Sequence, residues 1–538
     1  MTDPSTAAAS PPVIVLGAGP VGQSAGLLLA RYGIPVLVLD ARAARDPVGS
    51  KAICQQRDVL DAWAWCGAGA VAQEGLTWHR ARTFYREHDL FTLELPDAGS
   101  CPLPPFVNIS QARTEEILDG LLEASPLVEV RWGHEVVAIE QDEDGVLLRA
   151  RTPTGIQVLR SQYVVACAGA RGTTVRSLLG VELAGRTFDD AFLICDLRAD
   201  LPGWEHERRF YFDPPWNRGR QVLIHPCPDS VFRIDWQVDP HFDLAAARRD
   251  GSLHERIVDV IGDRPYELLW SSLYHFHARL ASRFRVGNVF LAGDLAHLVA
   301  PFGARGLNSG VPDVDNLAWK LAAVLHGWAP ERLLDSYSTE RRAAAQENLA
   351  VTSATMDFLV PRTPRQAARR EELLERAVTD PGVRDEIDSG RLAEPFWYVD
   401  SPLTTPDPQR PWPGRPPRRE AAPPVPGVIV PDAVLTPLDA GPTVRLRELV
   451  RGHVTVLASG ARETAAAVAA LTADLPEGTP LLGLDLRAYD GGEAVQHALG
   501  WEPGDLWLLR PDAHTAARVQ GVDDAVTAAR RMLALPLS

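Results

Sequence analysis

The amino-acid sequence lacks the features that mark several classes of protein. Its six cysteines form no CxxC pair and no metal-ligand spacing, so we expect reduced thiols rather than a disulfide framework or a zinc site. The chain has few basic residues relative to acidic ones: it contains 54 Lys and Arg and 70 Asp and Glu, which gives a net charge of −16. This balance argues against nucleic acid or an anionic membrane as the main partner.

The chain also has no uninterrupted apolar run long enough to span a bilayer. Residues 1–11 contain no Lys or Arg and no apolar centre, so they do not have the pattern of a signal peptide. The cytoplasm is therefore the expected location. At 538 residues, with 46% hydrophobic and 23% charged residues, the chain is too long for one core and predicts two to four globular domains.

The strongest local pattern is a GxGxxG motif at residues 17–22, directly after the apolar run 13–16. Gly17 permits a tight turn, Gly19 lets the backbone approach a phosphate, and Gly22 lets a helix pack against the strand. The motif after a strand predicts a cradle for a dinucleotide pyrophosphate.

The elements after this motif fit the same interpretation. A helix is expected from Pro20 to Tyr32, and its first N–H groups would face the anion. A second apolar strand at 36–39 ends at Asp40, where a carboxylate can bind a ribose hydroxyl. Strand, turn, helix and acidic residue together predict a Rossmann-like unit.

Beyond this unit the pattern changes along the chain. Alternating apolar and polar residues over 186–279 predict an antiparallel sheet with one covered face, whereas 287–327 returns to a strand, a Gly-rich loop and a helix. Charged helices are expected over 338–389, and eleven prolines in 401–431 indicate a stiff connector. The segment 427–538 has strands and helices of its own and no cysteine.

Two further glycine-bearing segments complete a family pattern. These are CAGARGTTVR at residues 167–176 and GDLAHLVAPFGARGLNSG at residues 293–310. Together with the first motif, they make residues 12–360 resemble the class A flavoprotein monooxygenases, the single-component FAD aromatic hydroxylases. The segment 427–538 resembles the cysteine-free, thioredoxin-like domain of phenol hydroxylase, 3-(3-hydroxyphenyl)propionate hydroxylase and the polyketide hydroxylases.

The resemblance implies an α/β fold with a Rossmann-like FAD-binding domain, an inserted antiparallel-sheet substrate domain and a C-terminal thioredoxin-like α/β domain. The expected boundaries are 12–185 and 280–360 for the discontinuous FAD-binding domain, 186–279 for the substrate-binding sheet domain, 361–426 for helices and a Pro-rich linker, and 427–538 for the thioredoxin-like domain without cysteines.

The resemblance also implies FAD as cofactor, with NADPH or NADH as co-substrate. Asp294 follows a strand and Gly293, where its carboxylate could accept hydrogen bonds from the ribityl chain; a turn or capping aspartate is the alternative. The helix that begins after Gly306 would stabilise negative charge on the reduced ring. The implied cofactor contacts are Gly17, Gly19, Pro20, Val21, Gly22, Asp40, Arg42, Lys51, Gln111, Arg113, Gly293, Asp294, Gly303, Gly306, Leu307 and Asn308. For Arg42 and Arg113, a solvent-facing position is left open.

Two positions depart from the family pattern. Ala168 stands where the family has an acidic residue in a segment linked to FAD and NAD(P)H binding, which puts the efficiency of flavin reduction in doubt. Lys51 stands where relatives usually have an arginine that contacts the flavin nucleotide. Lys51 supplies the charge without the bidentate geometry of an arginine.

Substrate-binding residues are less clearly indicated. A phenolate is easier to hydroxylate than a phenol, so a base near the aromatic ring would help. The candidate catalytic residues are Pro301, His225 and Tyr211, and Asp235, Arg233 and His277 lie on or near the same sheet. For each of the sheet residues, ordinary packing or a surface position is the alternative.

The expected function is hydroxylation of a phenolic or polycyclic aromatic substrate. The resemblance implies that NAD(P)H reduces the flavin, oxygen adds at flavin C4a, and the hydroperoxide oxidises a ring that the protein positions away from water. Baeyer–Villiger insertion, epoxidation and oxidative dearomatisation are alternatives, whereas halogenation is disfavoured because a WxWxIP signature is absent. A FAD-binding protein with low turnover is a further alternative, motivated by Ala168. The expected partners are an aromatic molecule and O2, without nucleic acid or membrane, and a homodimer is left open.

Overall fold

The structure, a computed structural model, describes residues 12–46, 51–94, 101–388, 390, 392–416 and 420–537. The segment 1–11, for which the sequence predicts no signal peptide, lies outside these residues. Within the described ranges, no helix combines the length and the apolar character that crossing a membrane requires.

Six strands form the sheet that carries the GxGxxG turn, which we call the nucleotide sheet. Five strands run parallel, and one edge strand is antiparallel to its neighbour. Their order is Arg285–Val286, Val289–Leu291, Tyr163–Ala166, Val13–Leu16, Val36–Leu39 and Val128–Arg131. The central strands are buried apolar runs, as a parallel sheet covered by helices requires. The helices packed around this sheet include Pro20–Arg31, Gln111–Ala124, Thr173–Leu178 and Leu307–Leu325.

An eight-stranded sheet, the large sheet, forms the second main layer. Its strand order is His297–Leu298, Tyr266–Ala281, Leu183–Ala199, Val231–Val238, Gln221–Cys227, Glu207–Phe212, Arg80–Tyr85 and His88–Glu94. Most neighbours are antiparallel, as the alternating pattern predicts, but Glu207–Phe212 pairs in parallel with Arg80–Tyr85. The sheet is thus wider than the predicted segment 186–279, because a hairpin from much earlier in the chain joins its edge. Local periodicity carries no information about such a distant pairing.

Different elements cover the two faces of the large sheet. One face packs against helices Leu244–Asp250 and Ser252–Ile261. The other face packs against Phe302 and against helices Asp335–Leu359 and Pro364–Thr379. We call this second face the loop-facing surface, because Phe302 belongs to the third glycine-bearing motif.

Smaller elements connect these layers. Strands Glu135–Asp142, Gly145–Thr152 and Gly155–Ser161 form a three-stranded sheet, and Cys54–Gln56 pairs with Phe106–Asn108. The remaining helices of this part are Arg57–Trp65 and Ala70–Glu74, with 3-10 helices Gly293–Leu295, Glu331–Leu334 and Pro381–Glu386.

The C-terminal part has its own mixed sheet. The strand order is Leu481–Asp485, Val454–Ala458, Leu506–Leu509 and Thr515–Val519, with the first pair parallel and the others antiparallel. Its other elements are helices Leu446–Val450, Ala461–Asp474, Gly492–Ala498 and Val522–Met532, the 3-10 helix Leu486–Ala488, and a small sheet of Val444–Arg445, Val434–Pro437 and Tyr489–Asp490. The predicted α/β fold class is confirmed. The thioredoxin-like character of this part stays a prediction.

Buried ion pairs join the C-terminal part to the rest of the molecule. Arg451 forms ion pairs with Asp315 and Asp61 at 2.9 and 3.0 Å. Arg510, which is fully buried, bonds Glu340 at 2.7 Å. Because buried charges need compensation, these contacts fix the two parts against each other.

Candidate functional site

The first glycine-rich turn has the geometry that its sequence predicts. Gly17 has φ +103°, and a Cβ there would lie 2.5 Å from the carbonyl oxygen of Cys167. A Cβ at Gly22 would lie only 1.8 Å from the carbonyl oxygen of Gly17. A Cβ at Gly19 would instead meet nothing within 4 Å. The turn therefore packs tightly against neighbouring backbone at Gly17 and Gly22. At Gly19, just before helix Pro20–Arg31, it faces free space.

Asp40 ties this turn to the second strand. One carboxylate oxygen accepts the N–H of Ala18 at 2.8 Å, and the Arg42 guanidinium forms two further bonds at 2.9 Å. Burial alone would raise the pKa of Asp40, but the hydrogen bonds from Arg42 and Ala18 hold it below its ordinary value. An incoming ribose hydroxyl would share this carboxylate with Arg42.

The three glycine-bearing motifs meet at one place. Val21 of the first motif lies against the third, since a Cβ at Gly293 or at Gly310 would come within 3.1 or 2.7 Å of its side chain. Arg176 of the second motif donates to the carbonyl oxygen of Leu295 at 3.4 Å. Segments that are distant in sequence thus build a single site at the carboxyl ends of the nucleotide-sheet strands.

Asp294 lies in this site, where its carboxylate is a potential hydrogen-bond acceptor. Its Oδ1 is 4.0 Å from the point where a Cβ of Gly306 would be, close to the start of helix Leu307–Leu325. Within the described part of the chain, no group donates a hydrogen bond to its carboxylate. Burial raises the pKa of Asp294, and the nearby His297 and Lys51 oppose this shift. Such a carboxylate can accept hydrogen bonds from hydroxyl groups of a ligand.

A buried set of charged residues holds the turn that carries Asp294. Asp313 accepts the N–H of Gly293 at 2.9 Å, the ring Nε2 of His297 bonds it at 2.7 Å, and Arg341 donates to it at 2.7 Å. Burial alone would raise the pKa of Asp313, but His297 and Arg341 hold it below its ordinary value. Asp313 and Arg341 were not expected from the sequence. Asp313 had one available signal, since it is a carboxylate within the otherwise apolar stripe of helix Leu307–Leu325, whereas Arg341 had none.

Loop 301–306 is held in a strained conformation. Ala304 donates to the carbonyl oxygen of Pro301 at 2.8 Å, and both Gly303 and Ala304 have positive φ, +89° and +57°. The side chain of Asn308 secures the end of the loop by donating to the carbonyl oxygens of Ala304 and Cys54. Left-handed backbone at a non-glycine residue is often found at ligand sites.

The remaining predicted cofactor contacts separate into two groups. Gln111 accepts the N–H of Ala52 at 2.9 Å and that of Lys51 at 3.2 Å, so it orders the segment that carries Lys51. Arg113 instead forms ion pairs with Glu74 and Glu116, and 44% of its side chain is exposed. The solvent-facing alternative fits Arg113, whereas Lys51 lies near Asp294.

The two candidate catalytic residues of the large sheet, Tyr211 and His225, fall on opposite faces of it. Tyr211 packs with Phe84 and Trp216 on the side of helices 244–261, away from loop 301–306. His225 belongs to the loop-facing surface, because it lies two residues beyond Leu223, which packs in the core on that face. Pro301 is an exposed residue beside Phe302. The structure therefore offers no contact through which Tyr211 could act on a ligand beside loop 301–306.

Tyr274, Phe192 and Phe276 complete the loop-facing surface near the site, and Phe302 packs against them. Burial raises the pKa of the Tyr274 phenol, and the neighbouring Asp294 raises it further. Phe302 makes edge contacts with Phe192 and Phe276, at ring-centre distances of 5.5 and 5.8 Å. This apolar cover keeps water from the face of loop 301–306 that meets the sheet.

Comparison with known proteins places the chain in a family. The profile of the family described as FAD binding domain matches residues 10–352. A 3-(3-hydroxy-phenyl)propionate/3-hydroxycinnamic acid hydroxylase of Burkholderia cenocepacia (strain HI2424) is 33% identical over 381 residues, which cover 70% of this chain and 68% of the relative.

Two solved structures share the fold along nearly the whole chain. The flavin-dependent monooxygenase PieE, in complex with FAD and substrate, has a TM-score of 0.84 at 22% identity and covers 98% of this chain and 99% of its own. Aklavinone-11 hydroxylase, in a ternary complex with FAD and aklavinone, has a TM-score of 0.76 at 25% identity over 97% of this chain and 99% of its own. The site described above, the matched profile and the relative agree, so the chain belongs to the FAD binding domain family and is a flavin-dependent monooxygenase that uses FAD.

Proposed function

We propose that this monooxygenase uses NADPH or NADH and O2 to hydroxylate an aromatic substrate that is phenolic or polycyclic. The observation that carries the proposal is the meeting of three motifs around an open turn and the unpartnered carboxylate of Asp294, beneath the loop-facing surface. The relative is named for phenolic acids and one structural neighbour holds aklavinone, which supports the aromatic class.

The residues of the site fit FAD. The open space at Gly19 leaves room for a pyrophosphate at a helix N-terminus, and the free acceptor of Asp294 suits ribityl hydroxyls. The residues that would hold the cofactor are Gly17, Gly19, Pro20, Val21 and Gly22 at the pyrophosphate, Asp40 and Arg42 at the adenosine end, Lys51 and Gln111 beside the nucleotide, Gly293 and Asp294 at the ribityl chain, and Gly303, Gly306, Leu307 and Asn308 at the ring. Arg113 stays a prediction as a cofactor ligand.

When bound, FAD supplies the redox chemistry that activates oxygen for insertion into the ring. The chain's own residues orient and insulate that chemistry. The N-terminus of helix Leu307–Leu325 favours negative charge beside loop 301–306. Phe192, Phe276 and Phe302 exclude water from the adjoining space.

The test uses the purified holoprotein with NADH or NADPH and matched pairs of aromatic compounds, each phenol beside its methyl ether. We expect the phenol to accelerate NAD(P)H oxidation and to yield a product heavier by one oxygen atom drawn from O2, measured by mass spectrometry with 18O2. The methyl ether is the control, because it keeps the aromatic ring and lacks the free hydroxyl group.

Two results would redirect the assignment. A yellow protein whose NAD(P)H oxidation no aromatic compound accelerates would support a FAD-binding protein with low turnover. Oxygen insertion that gives an ester or an epoxide would support the Baeyer–Villiger or epoxidising alternative, which the same experiment distinguishes by product structure.

A further inference from the structure

Three polar residues of the large sheet share one patch of the loop-facing surface. The register pairs His225 with Arg233 and Leu223 with Asp235, so His225 and Asp235 are diagonal neighbours on one face. The next step of the register on strand Glu207–Phe212 places Arg208 beside His225. The three side chains are therefore neighbours on one face, although they come from three adjacent strands.

This patch faces loop 301–306. A Cβ at Gly390 would lie 3.5 Å from the Arg208 guanidinium and equally 3.5 Å from Cβ of Phe302. Gly390 thus lies between Arg208 and Phe302, so Arg208 is close to loop 301–306. If FAD occupies the site as proposed, the patch is the polar part of the wall that faces its ring.

Asp235 is the residue of this patch whose carboxylate has no ion-pair partner among the described residues. Arg233 forms a two-bond ion pair with Asp196, at 2.7 and 2.8 Å. Asp235 has no such pair: within the described residues, its buried Oδ1 has no hydrogen-bond partner, and the buried Nδ1 of His225 has none either. Neither residue is fully buried as a whole, so part of each side chain stays open to a ligand. Buried polar atoms without partners at such a place indicate where a polar ligand binds.

The electrostatics assign different protonation states to the two residues. Burial raises the pKa of Asp235 to about 7, although Arg233 and Arg208 oppose the shift. Burial, Arg208 and Arg233 together lower the pKa of His225 well below its ordinary value, so its imidazole is neutral at pH 7. The charged and titratable groups that face Asp235 are Arg208, Arg233, Asp196, His225 and the thiol of Cys227, while the nearby Cys195 thiol lies on the opposite face of the sheet. Burial raises the pKa of both thiols to about 12.

We propose that Asp235 accepts the proton of a substrate phenol, while Arg208 stabilises the phenolate and His225 hydrogen-bonds the same oxygen. The O–H bond of the phenol breaks, an O–H bond forms at the Asp235 carboxylate, and the electron pair remains on the phenolate oxygen. The step needs no oxidant or reductant. It makes the ring richer in electrons before oxygen is inserted, and it rests on the aromatic hydroxylation proposed above.

The experiment measures ionisation of the bound phenol and proton release on binding, and it does not depend on turnover. Oxidised holoprotein is titrated at pH 8 with 3-(3-hydroxyphenyl)propionate and with 2-naphthol, each labelled with 13C at the hydroxyl-bearing carbon. The 13C shift reports whether the bound phenol is ionised, and calorimetry in buffers of different ionisation enthalpy counts the protons released. Asp239→Asn is the matched control, because Asp239 is an exposed aspartate just beyond the end of the same strand.

In the wild-type protein we expect bound phenolate with no net proton release, because the proton moves to Asp235. In Asp235→Asn each phenolate must release one proton to solvent, so its ionisation should rise tenfold per pH unit, a dependence that wild type lacks between pH 8 and 9. Asp239→Asn should match wild type. If the Asp235→Asn variant does not fold, the number of protons that wild type releases on binding still tests the role of Asp235.

Two wild-type results would overturn the assignment: one proton released for each phenolate bound, or binding of the phenol in its neutral form at pH 8. If phenols accelerate NAD(P)H oxidation but the proton count fails, only the role of Asp235 is refuted. Failure of both phenols to bind would count against the proposed function as well as this inference.

Discussion

Replacing Arg510 with methionine tests how the C-terminal part is attached. The guanidinium is fully buried and bonds the Glu340 carboxylate at 2.7 and 3.1 Å and the Asp512 carboxylate at 2.7 and 3.1 Å. It also lies over the rings of Tyr398 and Trp319, at 4.6 and 5.2 Å from their centres. Methionine keeps most of the apolar contact and removes the charge.

The expected cost follows from the carboxylates that the change leaves behind. Breaking one side of a buried ion pair costs about 3–5 kcal/mol, because the remaining charge stays buried without its partner. Lys320 still bonds Glu340 at 2.6 Å and Trp319 still bonds Asp512 at 3.1 Å, which places the expected loss toward the lower end of that range. The control is Arg113→Met, whose ion pairs are exposed and should cost less than about 1 kcal/mol.

The effect should depend on pH with a defined sign. Burial would raise the pKa of Glu340, but Arg510 and Lys320 outweigh it and hold the pKa far below the ordinary value of 4.5. The stability from this lowered pKa is fully present above pH 4.5 and is lost as the pH falls through the folded-state pKa. The difference between wild type and Arg510→Met should therefore narrow on acidification below pH 4.5.

Urea unfolding, followed by tryptophan fluorescence and by release of FAD fluorescence, measures this loss. A destabilisation below 1 kcal/mol at pH 7, equal to that of Arg113→Met, would refute the view that Arg510 compensates buried carboxylates. A large loss confined to the tryptophan signal, with FAD release unchanged, would show that the C-terminal part unfolds without disturbing the cofactor site.

Three further changes probe the site itself. Asp294→Ala should weaken FAD binding at least about tenfold, measured by flavin fluorescence, because hydrogen bonds to a charged group contribute about 1.5–3 kcal/mol; a variant that stays fully loaded and active would remove the role given to Asp294. Ala304→Gly should stabilise the holoprotein by about 0.5–1 kcal/mol in urea unfolding, because relief of left-handed strain exceeds the added chain entropy, and a clear destabilisation would contradict the strain. Asp235→Asn should stabilise the protein at pH 8 by up to about 4 kcal/mol, because the folded-state pKa of about 7 lies above the ordinary 3.8 and the ionised carboxylate therefore destabilises the folded protein at that pH. That gain should shrink as the pH falls from 7 to 4, and a gain that does not change with pH would contradict the pKa shift.

The glycine-rich turn and its cofactor could be predicted because their information is local. Gly17 needs a positive φ and Gly22 needs a missing Cβ, and both requirements arise within a few residues of the motif. The same holds for the helix expected from Pro20, which is observed as Pro20–Arg31. The third motif is equally local, since Gly293, Asp294 and loop 301–306 lie in one short stretch.

The charged residues that support the site could not be predicted in the same way. Asp313 and Arg341 meet only because helices Leu307–Leu325 and Asp335–Leu359 pack together. Tyr211 and His225 looked equivalent in sequence, yet the strand register places their side chains on opposite faces. A hydrophobic period shows that a strand has two faces but does not show which one meets loop 301–306.

By itself, the sequence determined the α/β class, the FAD cofactor and the kind of chemistry, because short glycine-bearing motifs impose their backbone requirements within a few residues. Only the tertiary structure decided which polar side chains share the loop-facing surface, how the hairpin of residues 80–94 widens the large sheet, and how Arg510 reaches Glu340. These depend on which distant surfaces become buried together, and burial sets both the partners and the protonation of a charged group.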